Sequence, residues 1–174
     1  PVHDMEIYGD RGARLDFSAY GAGVDELAFI IEAGLMQREL WESVKRQPNV
    51  TLLCPSQPAS LEIGAPAATL VLADGRKVEA RRVVAADGAD SWVRRQAGID
   101  AAVTPYGEKG LVANFTCQRP HYNKAFQWFL GSAVLAWLPL TGNAISIVWS
   151  APDALADELV ALSPDALCER VAAA

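Results

Sequence analysis

Apolar and polar positions along the chain change period several times, and each period predicts a different element. Met5–Tyr8 and Arg14–Phe17 have strand composition and flank Gly9-Asp10-Arg11-Gly12, which predicts two strands around a hairpin-type turn. From Leu35 to Gln47 the period becomes helical. Met36, Leu40 and Val44 recur every four residues and define one apolar stripe, Glu42 and Arg46 lie on the wet side, and Gln47-Pro48-Asn49 ends the run. Strand-like segments follow at Val50–Cys54, Ala59–Ile63, Thr69–Leu72 and Arg76–Val78, with Asp74-Gly75 as a strong hairpin turn. Arg82–Ala86 reads as a short buried strand. Asp90 is then placed to cap a helix over Ser91–Ala97, which Gly98 terminates.

Leu111–Cys117 is a further strand. Beyond it, the stretch from Ala125 to Pro152 carries no charged residue and is long enough to cross a bilayer if helical. Gly131-Ser132, Pro139 and Thr141-Gly142-Asn143 interrupt it, however. The pieces between them, Lys124–Leu130, Val134–Leu140 and Ala144–Trp149, have strand length and are rich in aromatic or β-branched residues. Three strands joined by turns are expected. Alternation places Phe126 and Trp128 on one face, and likewise Leu135 with Trp137. Pro152-Asp153 opens a helix. Ser163-Pro164-Asp165 opens a second, with serine as N-cap, proline at the first position and an acid in the first turn. The class is α+β with antiparallel sheet dominant.

Composition narrows the function. A chain of 174 residues that is 51% hydrophobic can bury a core and is not disordered. Its formal charge of −6 argues against a nucleic-acid partner held by phosphate contacts, and there is no polybasic membrane patch. Cys54, Cys117 and Cys168 are odd in number and widely spaced, so they read as reduced thiols. Cys117 and His121 lack the second pair that a metal site needs, so no metal is expected. Gly21-Ala22-Gly23 is not a dinucleotide fingerprint, because Glu26 stands where a third glycine is required.

The informative run is Val83 to Arg94: an apolar strand, the turn Asp87-Gly88, then Ser91 and a helix start. Such a junction presents backbone N–H groups and a positive helix end. Asp87 can accept from a sugar hydroxyl or orient a loop, and Arg94, about one turn into the helix, can reach a phosphate. On physics alone, an ordinary capped turn is the favoured reading.

The pattern itself, Val83, Val84, Asp87, Gly88, Ser91 and Arg94, resembles the Asp-Gly motif of the flavoprotein aromatic hydroxylases with the para-hydroxybenzoate hydroxylase fold. In that family the motif is associated with FAD and NAD(P)H. Phe29-Ile30-Ile31-Glu32 and the helix carrying Arg38 resemble the family's flavin-contacting segment. Asn49-Val50-Thr51-Leu52 leading on to Asp74-Gly75 resembles its β-meander. Tyr106, Val112-Ala113-Asn114, Ala125-Phe126, Leu138-Pro139-Leu140 and Ser146-Ile147-Val148-Trp149-Ser150 resemble the ubiquinone-biosynthesis branch in particular.

The resemblance implies an α+β fold in which an antiparallel substrate-binding sheet joins part of an FAD-binding domain. Residues 1–28 would be substrate-domain strands, 29–105 the partial FAD-binding domain, and 106–174 the substrate-domain sheet and terminal helices. It implies cofactor contacts at Asp87, Gly88, Arg94, Arg38 and Glu32, and a pocket wall at Trp128 and Trp137. The family's opening βαβ unit with its G-x-G-x-x-G, and its later Gly-Asp motif, have no counterpart here. The chain therefore reads as an interior piece of a longer enzyme and is expected to bind FAD poorly alone. The implied reaction is flavin-dependent hydroxylation of a polyprenyl phenol using NAD(P)H. The cofactor performs the oxygen chemistry, so no catalytic nucleophile is expected. Such an enzyme would be cytoplasmic, in peripheral contact with the inner membrane where its substrate resides, and could sit in a biosynthetic complex. The competing readings are a non-catalytic module that holds an apolar ligand, and a related flavoprotein reductase or halogenase. Coupling of NAD(P)H oxidation to ring hydroxylation separates the hydroxylase from both.

Overall fold

A computed structural model describes residues 1–174. In chain order the elements are β1 (Asp4–Tyr8), β2 (Arg14–Ser18), α1 (Ala19–Ala22), α2 (Ala33–Lys45), β3 (Pro58–Ile63), β4 (Ala68–Leu72), β5 (Lys77–Ala80), α3 (Trp92–Gln96), β6 (Glu108–Thr116), β7 (Lys124–Leu130), β8 (Ala133–Pro139), β9 (Ala144–Pro152), α4 (Asp153–Ala161) and α5 (Pro164–Ala172). The chain divides into two compact units, Pro1–Glu39 with Pro105–Ala174, and Leu40–Thr104.

The first unit is built on a six-stranded sheet in the order β2-β1-β7-β8-β9-β6. Every neighbouring pair is antiparallel except β1 with β7, which run parallel. The uncharged stretch forms β7, β8 and β9 and not a membrane helix, and no helix in the structure is long and apolar enough to cross a membrane.

The sheet has two different faces, because strand side chains alternate. Leu135 pairs in register with Trp149, and Trp137 with Ile147. Leu135 and Ile147 are fully buried, in one cluster with Ala156 and Leu159 of α4 and Val171 of α5. The two C-terminal helices therefore cover this face. Ser163 caps α5 by accepting from the Ala166 N–H at 3.3 Å, with Pro164 in the first turn. The other face carries Leu15, Phe17, Val112, Phe129 and Val148, all exposed, with Val112 at 66%.

The second unit holds the antiparallel sheet β3-β4-β5 and the short α3. Asp74 closes the β4–β5 turn. Its carboxylate accepts from the Arg76 backbone N–H and guanidinium, and Gly75 adopts φ +87°. Two expectations fail in this unit. Val50–Cys54 and Arg82–Ala86 form no strand, and Arg82–Ala86 is exposed throughout, with Val84 at 86%. A strand exists only where a neighbour takes its backbone hydrogen bonds. Here β3, β4 and β5 pair among themselves and neither apolar segment joins them. The helix expected over Leu35–Gln47 forms two residues earlier, as α2. Its stripe of Met36, Leu40 and Val44 is exposed, and none of its residues is buried.

Candidate functional site

Asp87 follows the exposed segment Arg82–Ala86, and Gly88 turns the chain with φ +88°. A side chain at Gly88 would be strained by that backbone conformation, since the left-handed region favours glycine. The turn aims the Asp87 carboxylate at the start of α3. It accepts from the Ser91 hydroxyl at 2.6 Å, the Trp92 N–H at 2.7 Å and the Val93 N–H at 3.2 Å. Ser91, 5% exposed, in turn accepts from the Arg94 N–H at 3.0 Å. One carboxylate and one hydroxyl together satisfy three of the free N–H groups that begin the helix. The cap is thus Ser91 backed by Asp87, and not Asp90. Asp90 instead offers its backbone carbonyl to the Arg95 guanidinium at 2.5 Å.

The Ser91 hydroxyl, followed by the Val93 N–H, holds the Asp87 carboxyl below the ordinary aspartate range. A carboxyl depressed in the folded state contributes stability that is fully present above its unfolded value, about 4, and is lost as pH falls through the lower folded value. Hydrogen exchange of the Trp92 and Val93 amides is therefore expected to lose protection below that range in the parent protein. An Asp87→Asn variant should show weak protection of both amides and little pH response. Equal protection in the two proteins across the acid range would remove the carboxylate from the cap.

Arg94 is half-buried, and its guanidinium has no protein partner. It lines a cavity of about 440 Å³ together with Arg81, Arg82, Gly88 and Ser91, over apolar walls that include Leu61 and Val93. Three arginines and no acidic residue line this space, in a chain whose net charge is −6. Arginine clusters favour phosphate oxygens, through charge-assisted hydrogen bonds, whereas the first N–H groups of α3 are already taken by Asp87 and Ser91. The donor set fits a phosphate-bearing group. Arg81 and Arg82 lie outside the Asp-Gly motif and its flanking candidates. Their only signal in the sequence is a pair of adjacent cations ahead of an apolar segment, which ordinarily reads as a solvated strand start.

The remaining candidates lie in the other unit or on its helix. Arg38 is exposed and paired at 3.1 Å with its neighbour Glu39. Glu32 is exposed, and its carbonyl accepts from the Met36 N–H at the entry to α2. Trp128 and Trp137 meet edge to face, with ring centroids 5.2 Å apart. Both lie on the sheet face that the C-terminal helices cover, packed against the buried cluster.

No protein-family model matches the chain. Among curated proteins it is 34% identical over 162 residues to the ubiquinone hydroxylase UbiL of Rhodospirillum rubrum, covering 93% of this chain and 38% of that protein. It is 29% identical over 149 residues to the 3-demethoxyubiquinol 3-hydroxylase of Escherichia coli, covering 86% and 38%. It is homologous to the ubiquinone-biosynthesis hydroxylases. The chain spans about two-fifths of the length of these relatives. The structure of pqsL, a probable FAD-dependent monooxygenase from Pseudomonas aeruginosa, superposes with a TM-score of 0.79 at 25% identity, over 97% of this chain and 48% of that one. The α+β architecture expected from the sequence is thus the fold found in FAD-dependent monooxygenases.

Proposed function

We propose that this chain supplies the substrate sheet and part of the flavin-binding unit of an FAD-dependent, NAD(P)H-using monooxygenase that hydroxylates a polyprenyl phenol in ubiquinone biosynthesis. The observation that carries this reading is the match to ubiquinone hydroxylases along 93% of the chain. The arginine-lined cavity at the Asp-Gly turn supports it.

Each part then has a physical task. Gly88 lets the backbone turn tightly, and Asp87 with Ser91 holds the first turn of α3 rigid. That rigidity presents Arg94, with Arg81 and Arg82, to phosphate oxygens of the cofactor. Bound FAD would supply the oxygen chemistry, and the protein's share is placement and shielding. Glu32 and Arg38, at the start of α2, are proposed as further flavin contacts. The substrate ring is placed against the uncovered face of the six-stranded sheet, where Phe129, Val112 and Val148 offer apolar contact. Trp128 and Trp137 lie on the helix-covered face against the buried cluster, where Trp137 also borders a cavity.

The test is a flavin titration of the enzyme with Arg94→Ala, read beside NAD(P)H oxidation and hydroxylated product. Weaker FAD binding with coupled product formation is expected. Unchanged flavin affinity would remove Arg94 from the site, and NAD(P)H oxidation without ring hydroxylation at full flavin occupancy would overturn the monooxygenase reading.

A further inference from the structure

The covered face of the sheet carries an unbroken line of oxidisable rings across three adjacent strands. Trp137 on β8 meets Trp128 on β7 edge to face at 5.2 Å between centroids, and Trp128 stacks on Tyr8 of β1 at 5.8 Å and 7° between planes. Phe126 fills the angle, stacked on Trp128 at 5.6 Å. These separations lie within the range of direct aromatic contact. Electronic coupling between rings falls steeply with distance, so contacts this close make electron exchange along the line fast.

The two ends differ chemically. At Trp137 the indole N–H is buried without any hydrogen-bond partner. No protein group accepts from that N–H, so an indole that loses an electron there forms a radical cation, which is a strong oxidant toward the next ring. The ring itself borders a cavity of about 840 Å³ beneath the β6–β7 connection, so a small molecule can reach it. At Tyr8 the opposite holds. Its O–H donates to the Glu6 carboxylate, which also accepts from the Lys124 ammonium at 2.7 Å. The Arg14 guanidinium lies 5.6 Å from the Tyr8 ring centre. A nearby cation disfavours a positively charged tyrosine radical, so electron and proton leave together, the proton going to Glu6.

We propose that Trp137, Trp128 and Tyr8 form a relay that carries a one-electron oxidation out of the sheet interior to Tyr8. A nitrogen- or oxygen-centred radical takes one electron from Trp137 and becomes its anion. Trp137 is restored by an electron from Trp128, and Trp128 by one from Tyr8. Tyr8 becomes a neutral phenoxyl radical as its proton moves to Glu6. A soluble thiol then returns a hydrogen atom to Tyr8, and Glu6 releases its proton to solvent. The net change is reduction of the radical, oxidation of the thiol to a thiyl radical and release of one proton. The relay is independent of the flavin reading.

Pulse radiolysis with azide radical, which oxidises indole in preference to phenol, tests it on the intact protein. Tryptophan radical should decay with matching first-order growth of tyrosyl radical, at a rate independent of protein concentration. Tyr8→Phe keeps the ring stack and should abolish that growth. Trp128→Phe should slow it by interrupting the line, and Glu6→Gln should slow it by removing the proton acceptor. A variant with Tyr20, Tyr106 and Tyr122 all changed to Phe, three highly exposed rings outside the line, should keep it. Undiminished first-order growth in Tyr8→Phe or in Trp128→Phe, or a rate proportional to protein concentration, would overturn the relay.

Discussion

Leu135→Ala is expected to destabilise the six-stranded-sheet unit by about 3 kcal/mol, within the range for truncating a fully buried leucine. Leu135 has no exposed surface and sits between Trp128 and Trp149 in register, over the cluster that α4 and α5 close. The loss combines the transfer of the deleted methyl groups with the void left between two large indoles, which cannot collapse into it without leaving their rotamers. Chemical denaturation with far-UV detection reads the change directly. Val112→Ala is the matched control. It removes an apolar group from the uncovered face, where the side chain is 66% exposed, and should stay within about 0.5 kcal/mol of the parent. Equal effects at the two positions would overturn the assignment of a covered and an uncovered face.

The second large effect is expected at Arg94. Its guanidinium has no protein partner to lose, so Arg94→Ala should leave stability nearly unchanged. A hydrogen bond to a charged group contributes about 1.5–3 kcal/mol, so the dissociation constant for FAD should rise about ten- to hundred-fold. Arg94→Lys keeps the charge but loses the planar fork and should recover only part of the affinity. Arg81 and Arg82 face the same cavity, and removing either should add to the loss. The salt dependence of binding should fall with each guanidinium removed, because exposed electrostatic attraction is screened. A dissociation constant insensitive to Arg94, with the fold intact, would place the phosphate elsewhere.

Much of the local structure is legible in the residues. β7 forms over Lys124–Leu130, the span the breakers predicted, because Gly131-Ser132 can turn and the run between has strand composition. Ser163 and Pro164 start α5 as expected, since capping uses atoms only three residues apart. The Asp87-Gly88 turn is likewise a local matter of one positive φ and one short side chain. The choice of cap was less visible. Asp90 and Ser91 are both good cap residues, and what decides is that Asp87 reaches Trp92 and Val93 across five and six positions.

Elsewhere the outcome depended on partners distant in the chain. Val50–Cys54 and Arg82–Ala86 have strand composition, yet neither finds a neighbouring strand, and composition cannot supply one. The parallel pairing of β1 with β7 joins segments more than a hundred residues apart and has no signature in either. It is this pairing that sets Tyr8 beside Trp128 and Glu6 beside Lys124. Alternation along β7 and β8 determined from the sequence alone that Phe126 and Trp128 share a face of their strand, as do Leu135 and Trp137 of theirs. Only the tertiary structure decided that these are one face of one sheet and that α4 and α5 cover it. A period of two separates the sides of a strand, but which side is buried depends on where the apolar stripes of helices much later in the chain come to rest.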